Sequence, residues 1–247
     1  MRVLLIVVAT LWGVGAGLLL PRAAHRLSVD ADEPWCDECP GGHPITGAFG
    51  GWVGRARCTD TTACGTYGPS TRAVAAVTAL VCAALAAATG PRPEAVVWLL
   101  TAPVAVLLAL VDRRVHRLPD VLTLPLAAAT VALLGVAALL PTAAGSWPTA
   151  LLGGLALGAA YFVLFLVNRA GMGFGDVKLA LALGAALGWY GWPVLVTGAF
   201  AGLLYGAVYG MGLVVLRRAG RKSTIPLGPF MVGGALTGLL LGALAAG

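Results

Sequence analysis

Residues 95–120 read AVVWLLTAPVAVLLALVDRRVHRLPD. From Ala95 to Val111 no residue carries a charge, and Asp112 and two arginines follow at once. At 1.5 Å per residue such a run is roughly 25 Å long as a helix, close to the ~30 Å hydrocarbon core of a bilayer. Similar runs recur outward in both directions. Eight candidate helices lie near 2–20, 73–89, 95–111, 121–140, 149–167, 177–192, 194–216 and 229–246. Hydrophobic residues make up 59% of the 247-residue chain and charged residues 11%, about half the charge of a soluble domain. The expected fold is therefore all-α: a polytopic integral membrane protein of about eight transmembrane helices. A cleaved signal at 2–20 is the weaker reading, since Pro21 and Arg22 stand where a small-residue cleavage site would be needed.

The net charge of +6 does not point to nucleic acid, because the basic residues sit in short clusters between apolar runs. With the N-terminus outside, segments 21–72, 112–120, 168–178 and 217–228 fall on the cytoplasmic side and hold 14 of the 16 Lys/Arg. Only Arg2 and Arg92 are left outside. The chain then divides into a first transmembrane helix (1–20), a cytoplasmic insert with four cysteines (21–72) and a seven-helix membrane core (73–247). His25, His43 and His116 form no HExxH pair, which removes the usual zinc-protease signature. His116 lies beside the acids discussed next and is given no role.

Seven of the ten acidic residues lie at or before Glu94, so the remaining 153 residues hold only Asp112, Asp120 and Asp176. Acids at or near membrane depth are costly and default to functional candidates. Each also has a plain reading. Asp112 can be a boundary residue reaching headgroup water beside Arg113 and Arg114. Asp176 and Asp120 can be N-caps of the helices that follow them, and for Asp120 the cap is the stronger reading. All three fall on the cytoplasmic side. Two carboxylates brought together share a proton, and such a pair can divide the base and acid roles of amide hydrolysis. Gly173 and Gly175, without Cβ atoms, would let a substrate backbone approach.

The sequence GFGD at 173–176 is a GxGD motif, and 171–180, GMGFGDVKLA, resembles the form found in type IV prepilin peptidases. DRRVHRLPD at 112–120, running on to Pro125, resembles that family's first catalytic region, and IPLGPF at 225–230 its motif opening the last helix. The resemblance implies Asp112 and Asp176 as the catalytic pair, with Asp120, Gly173, Gly175 and Lys178 in support. It also implies cleavage of the leader of prepilin or pseudopilin substrates at the cytoplasmic face of the inner membrane. The different-class alternatives are a proton- or cation-coupled transporter and a non-catalytic scaffold of a secretion or pilus system. Acids gathered on one side fit a transporter poorly.

Cys36, Cys39, Cys58 and Cys64 could give zinc four thiolates and so fold an insert too small for its own core. Free thiols and a disulfide are the alternatives, the latter disfavoured in a reducing compartment. Cys82, within an apolar run, reads as a small buried residue. Longer members of the family carry a four-cysteine insert and methylate the new N-terminus with S-adenosylmethionine. This chain keeps the cysteines and Arg26. It departs in the Cys58–Cys64 spacing and lacks the asparagine expected within 18–25, which bears on methyl transfer and not on proteolysis.

Overall fold

The structure is a computed structural model and describes residues 1–30, 33–58, 65–169, 171–216 and 226–246. Nine helices are found among them: α1 (Arg2–Leu27), a single turn α2 (Ala48–Gly51), α3 (Thr71–Thr89), α4 (Glu94–Val115), α5 (Asp120–Ala138), α6 (Trp147–Val167), α7 (Phe174–Gly188), α8 (Trp192–Val215) and α9 (Gly228–Ala245). Extended pairing among the described residues is limited to two isolated bridges, Glu38 with Pro44 and Arg57 with Thr66. Seven helices are long and apolar enough to cross a membrane. The remaining expected run, 177–192, forms as α7, whose 15 residues would reach only about 22 Å. It is buried nearly all round between α5, α6, α8 and α9, as a helix with no polar face must be.

The first helix runs further than its apolar stretch suggests. Pro21 lies inside α1, which continues to Leu27, so the insert begins after Leu27 instead of at residue 21. The added turns carry Arg22 and Arg26, which hold the insert. Arg22 donates to the Thr46 carbonyl (2.9 Å). Arg26 donates to the Gly50 carbonyl (2.8 Å), pairs with Asp37 and lies over the Trp52 ring.

Helix pairing uses small residues, since lipid offers apolar side chains no reason to leave it and association depends on close packing. α1 lies along α3 with Gly13 and Gly17 facing Ala79 and Ala75; a Cβ on Gly17 would meet the Ala75 Cα at 2.6 Å. Gly17→Val must therefore push α1 off α3, at a cost of about 2 kcal/mol or more. Gly15, two residues away, has nothing within 4 Å of the place a Cβ would take. A thermal melt in detergent should show a clear drop for Gly17→Val and none for Gly15→Ala; equal melts would mean that this contact does not hold the pair.

The described residues of the four segments expected on one side do meet at one end of the bundle. Arg117 donates to the Asp30 carbonyl (2.8 Å), Lys178 pairs with Asp120 (2.6 Å), and the Gly228 N–H reaches Asp112 (2.8 Å). At the other end Arg2 donates to the Ala87 carbonyl and Arg92 to those of Ala243 and Ala246. Ser146 N–H there donates to the Trp189 carbonyl.

Candidate active site

Asp112 sits in the last turn of α4. That helix stops at His116, which takes a left-handed backbone (φ 50°, ψ 38°) and donates its N–H to the Asp112 carbonyl at 2.8 Å. The stop turns the chain toward Leu118 and the start of α5. Asp112 does not reach out to headgroup water: it is 3% exposed, and its Oδ2 accepts the Gly228 N–H at 2.8 Å. That N–H belongs to the first turn of α9, where the next residue, Pro229, has none to give. Helix N-termini carry unpaired donors and partial positive charge, so this is a natural seat for a carboxylate.

Asp176 is the third residue of α7 and is 6% exposed. It is not the N-cap. Gly173 holds that position, and the Asp176 Oδ2 reaches back to accept the Gly173 N–H at 3.1 Å. The capping reading is thus met in part, by the reach-back half of a capping box. Both aspartates are anchored through Oδ2, and among the described residues neither Oδ1 accepts a hydrogen bond. They line one cavity of about 240 Å³ together with His116, Leu118, Asp120, Gly173, Gly175 and Lys178.

The supporting residues are placed as follows. Asp120 is the first residue of α5, whose N-cap is Pro119, so the capping expected of it is not seen. Its exposed carboxylate pairs with Lys178, whose ammonium also lies 5.0 Å from the centre of the Phe174 ring. Asp120 and Lys178 thus tie α5 to α7 beside the cavity. Gly175 is accounted for by packing: a Cβ there would stand 2.8 Å from the Leu118 Cβ. A Cβ on Gly173 would make only ordinary contacts, the nearest with the Asp176 Oδ2 at 3.7 Å. Gly228 carried no role in the sequence reading. Its only signal was its place in the motif at 225–230, and Ile225 of that motif lies outside the described residues.

In the insert, backbone hydrogen bonds hold the segments that bring donors together. The Cys39 N–H bonds the His43 carbonyl (2.9 Å), and the Cys58 N–H bonds that of Gly65 (2.8 Å). Cys39 and Cys58 place their sulfurs 3.4 Å apart, and the His43 Nδ1 lies 3.6 and 3.4 Å from them. Ligand atoms of these three residues all lie within 4.8 Å of one another. Cys36 is not part of the group. Its sulfur faces the His25 Nε2 (3.6 Å) and the Glu38 carbonyl (3.1 Å), because the chain turns only after Glu38. Cys64 lies outside the described residues. His43 is a donor that the cysteine count could not reveal. Cys82 is buried in α3, as expected.

Fold and site together define a helical membrane protein with two buried carboxylates facing one cavity at one end of the bundle. The model of the type IV leader peptidase family matches residues 99–211, a span that contains both aspartates and stops short of the insert. Proteins named prepilin leader peptidase/N-methyltransferase are similar over longer stretches. That of Aeromonas salmonicida is 32% identical over 228 residues, covering 85% of this chain and 72% of its own length. That of Aeromonas hydrophila is 37% identical over 158 residues (63% and 52%), and that of Pseudomonas aeruginosa 35% over 129 (50% and 42%). No solved structure matches the chain. The chain belongs to the type IV leader peptidase family.

Proposed function

We propose that the chain is an aspartic endopeptidase that removes the leader of prepilin-like proteins, with Asp112 and Asp176 as its catalytic pair. The observation that carries this reading is the pair itself: two buried carboxylates on one cavity, each fixed through one oxygen and with the other available. One carboxylate takes a proton from water as the water oxygen attacks the scissile carbonyl carbon. The other, protonated, donates to the carbonyl oxygen. Collapse of the tetrahedral intermediate breaks the C–N bond, and the departing amine takes up the proton. Gly173 leaves room beside Asp176 for the substrate backbone, while Lys178 and Asp120 hold α5 and α7 in register. The cavity faces the cytoplasm in this reading, because the end that carries it also holds most of the basic residues. The names of the relatives support a second activity, methylation of the new N-terminus with S-adenosylmethionine. Purified protein in detergent, given a prepilin-type leader peptide, should release the leader, and with the methyl donor should add 14 Da to the product by mass spectrometry. Failure to cut several such leaders while correctly folded would defeat the peptidase reading.

The insert fits zinc. Cys39, His43 and Cys58 supply two soft thiolates and an imidazole already gathered at one point, a set suited to a structural tetrahedral site. The metal would contribute folding energy to a segment whose own core, among the described residues, is a small cluster around Ile45, Ala56 and Tyr67. Metal analysis should find about one zinc per chain, lost in Cys39→Ser and Cys58→Ser and retained in Cys36→Ser. Equal zinc in all three variants would remove the assignment.

A further inference from the structure

Two cavities meet beside Leu18 of α1, where Arg55 of the insert lies against the helix. One runs along the outer face of α1, about 630 Å³, between Leu11, Trp12, Gly15 and Leu19, and is apolar except for Arg55 at its end. From Leu11 to Leu20 it follows α1 for roughly 14 Å. The other, about 640 Å³, is lined by Arg55, Arg57 and Arg72 with the hydroxyl residues Thr66, Ser70 and Thr71. Leu18 and Arg55 belong to both, so the apolar groove opens into the basic cleft. Among the described residues none of these three arginines is in an ion pair or donates a side-chain hydrogen bond. Three unpaired guanidiniums facing one space form a strongly positive pocket, and guanidinium forks match phosphate oxygens.

We infer that this paired cavity is a binding site for an anionic phospholipid, with an acyl chain along α1 and the headgroup phosphate held by Arg55, Arg57 and Arg72. The pair of cavities suits an occupant that is apolar over many ångströms and anionic at one end. The basic cleft lies at the first turn of α3 beside the end of the apolar run of α1, where headgroups stand. A basic leader peptide would be repelled by it, and a soluble anion would leave the groove empty. Arg57 precedes Cys58 and is bridged to Thr66, so a bound headgroup would also brace the segment that carries one of the zinc donors.

The test is retention of lipid by the purified full-length chain, read by native mass spectrometry in detergent. Phosphatidylglycerol and phosphatidylcholine with identical acyl chains are supplied separately. Phosphatidylglycerol is expected to be retained at least tenfold better. The triple variant Arg55→Gln/Arg57→Gln/Arg72→Gln should fall to the phosphatidylcholine level. Gly15→Leu, which fills open space in the groove without touching the charges, should weaken retention of both lipids. Equal retention of the two lipids by the wild type, or undiminished selectivity in the triple variant, would overturn the site. Displacement of phosphatidylglycerol by S-adenosylmethionine would overturn it as well, by giving the cleft to the methyl donor. None of these readouts depends on peptidase activity, so the site stands or falls apart from the proposed chemistry.

Discussion

Asp176→Asn is expected to lower leader cleavage by at least about 10³-fold while the protein still inserts, folds and binds its substrate. Asparagine keeps the size of the side chain, and its carbonyl oxygen can still accept the Gly173 N–H that anchors Asp176 at 3.1 Å. Helix α7 therefore keeps its reach-back cap. What is lost is the proton: an amide can neither take one from water nor give one to the substrate carbonyl. Asp112→Asn should cost as much, for the same reason. The two losses should not add. A shared proton is one device, and once either carboxylate is gone the other has no partner to work with, so the double variant should cleave no worse than either single one. Initial rates on a leader peptide, measured for all four proteins at matched melting temperature, decide the matter. Residual cleavage by Asp176→Asn within tenfold of the wild type would mean that this pair is not the acid and base. A double variant far slower than both singles would mean that the carboxylates act separately.

That pair was legible because acids are so scarce beyond Glu94 that each one stands out against an apolar background. The helices were legible for a related reason, since a span is announced by the length of a run and does not depend on tertiary contact. What the run could not show is where a helix continues past its apolar stretch. α1 goes on through Pro21 because Arg22 and Arg26, polar and thus unlike membrane residues, find backbone carbonyls and Asp37 in the insert. Residues whose role depends on a distant partner were also hidden. Asp120 looked like a cap because caps are local, whereas its partner Lys178 is 58 positions away. Gly175 looked like room for substrate until Leu118 was found against it. His43 joined the cysteines only through the turn after Cys39 and the approach of Cys58 to it, which no count of thiols would reveal.

Gly228 shows the same limit most sharply, and it supports the second large prediction. Its N–H is the donor that holds the Asp112 Oδ2, and its missing side chain is what lets the carboxylate come so near. A Cβ at this position would stand 2.8 Å from the Oδ2 and 3.1 Å from the Cγ of Asp112. Backbone cannot yield easily there, because Gly228 opens α9 and is followed by Pro229. The short Asp112 side chain must therefore swing away and give up its anchor. Displacement of a catalytic group by about 1 Å can cost on the order of 10²-fold in rate. Gly228→Ala is accordingly expected to lower kcat by about that factor with little change in KM, since the substrate's other contacts are untouched. Gly233→Ala, five residues further along the same helix, is the matched control: its nearest neighbour would be Tyr205 at 3.7 Å, an ordinary contact, and cleavage should be unchanged. The anchor would be ruled out as a working part of the site by a Gly228→Ala protein that cuts at the wild-type rate. A fall in kcat and a rise in KM shared equally by both glycine variants would instead point to general loosening of α9. A loss confined to kcat in Gly228→Ala ties the first turn of the last helix to the chemistry at the end of the fourth, across 116 residues of chain.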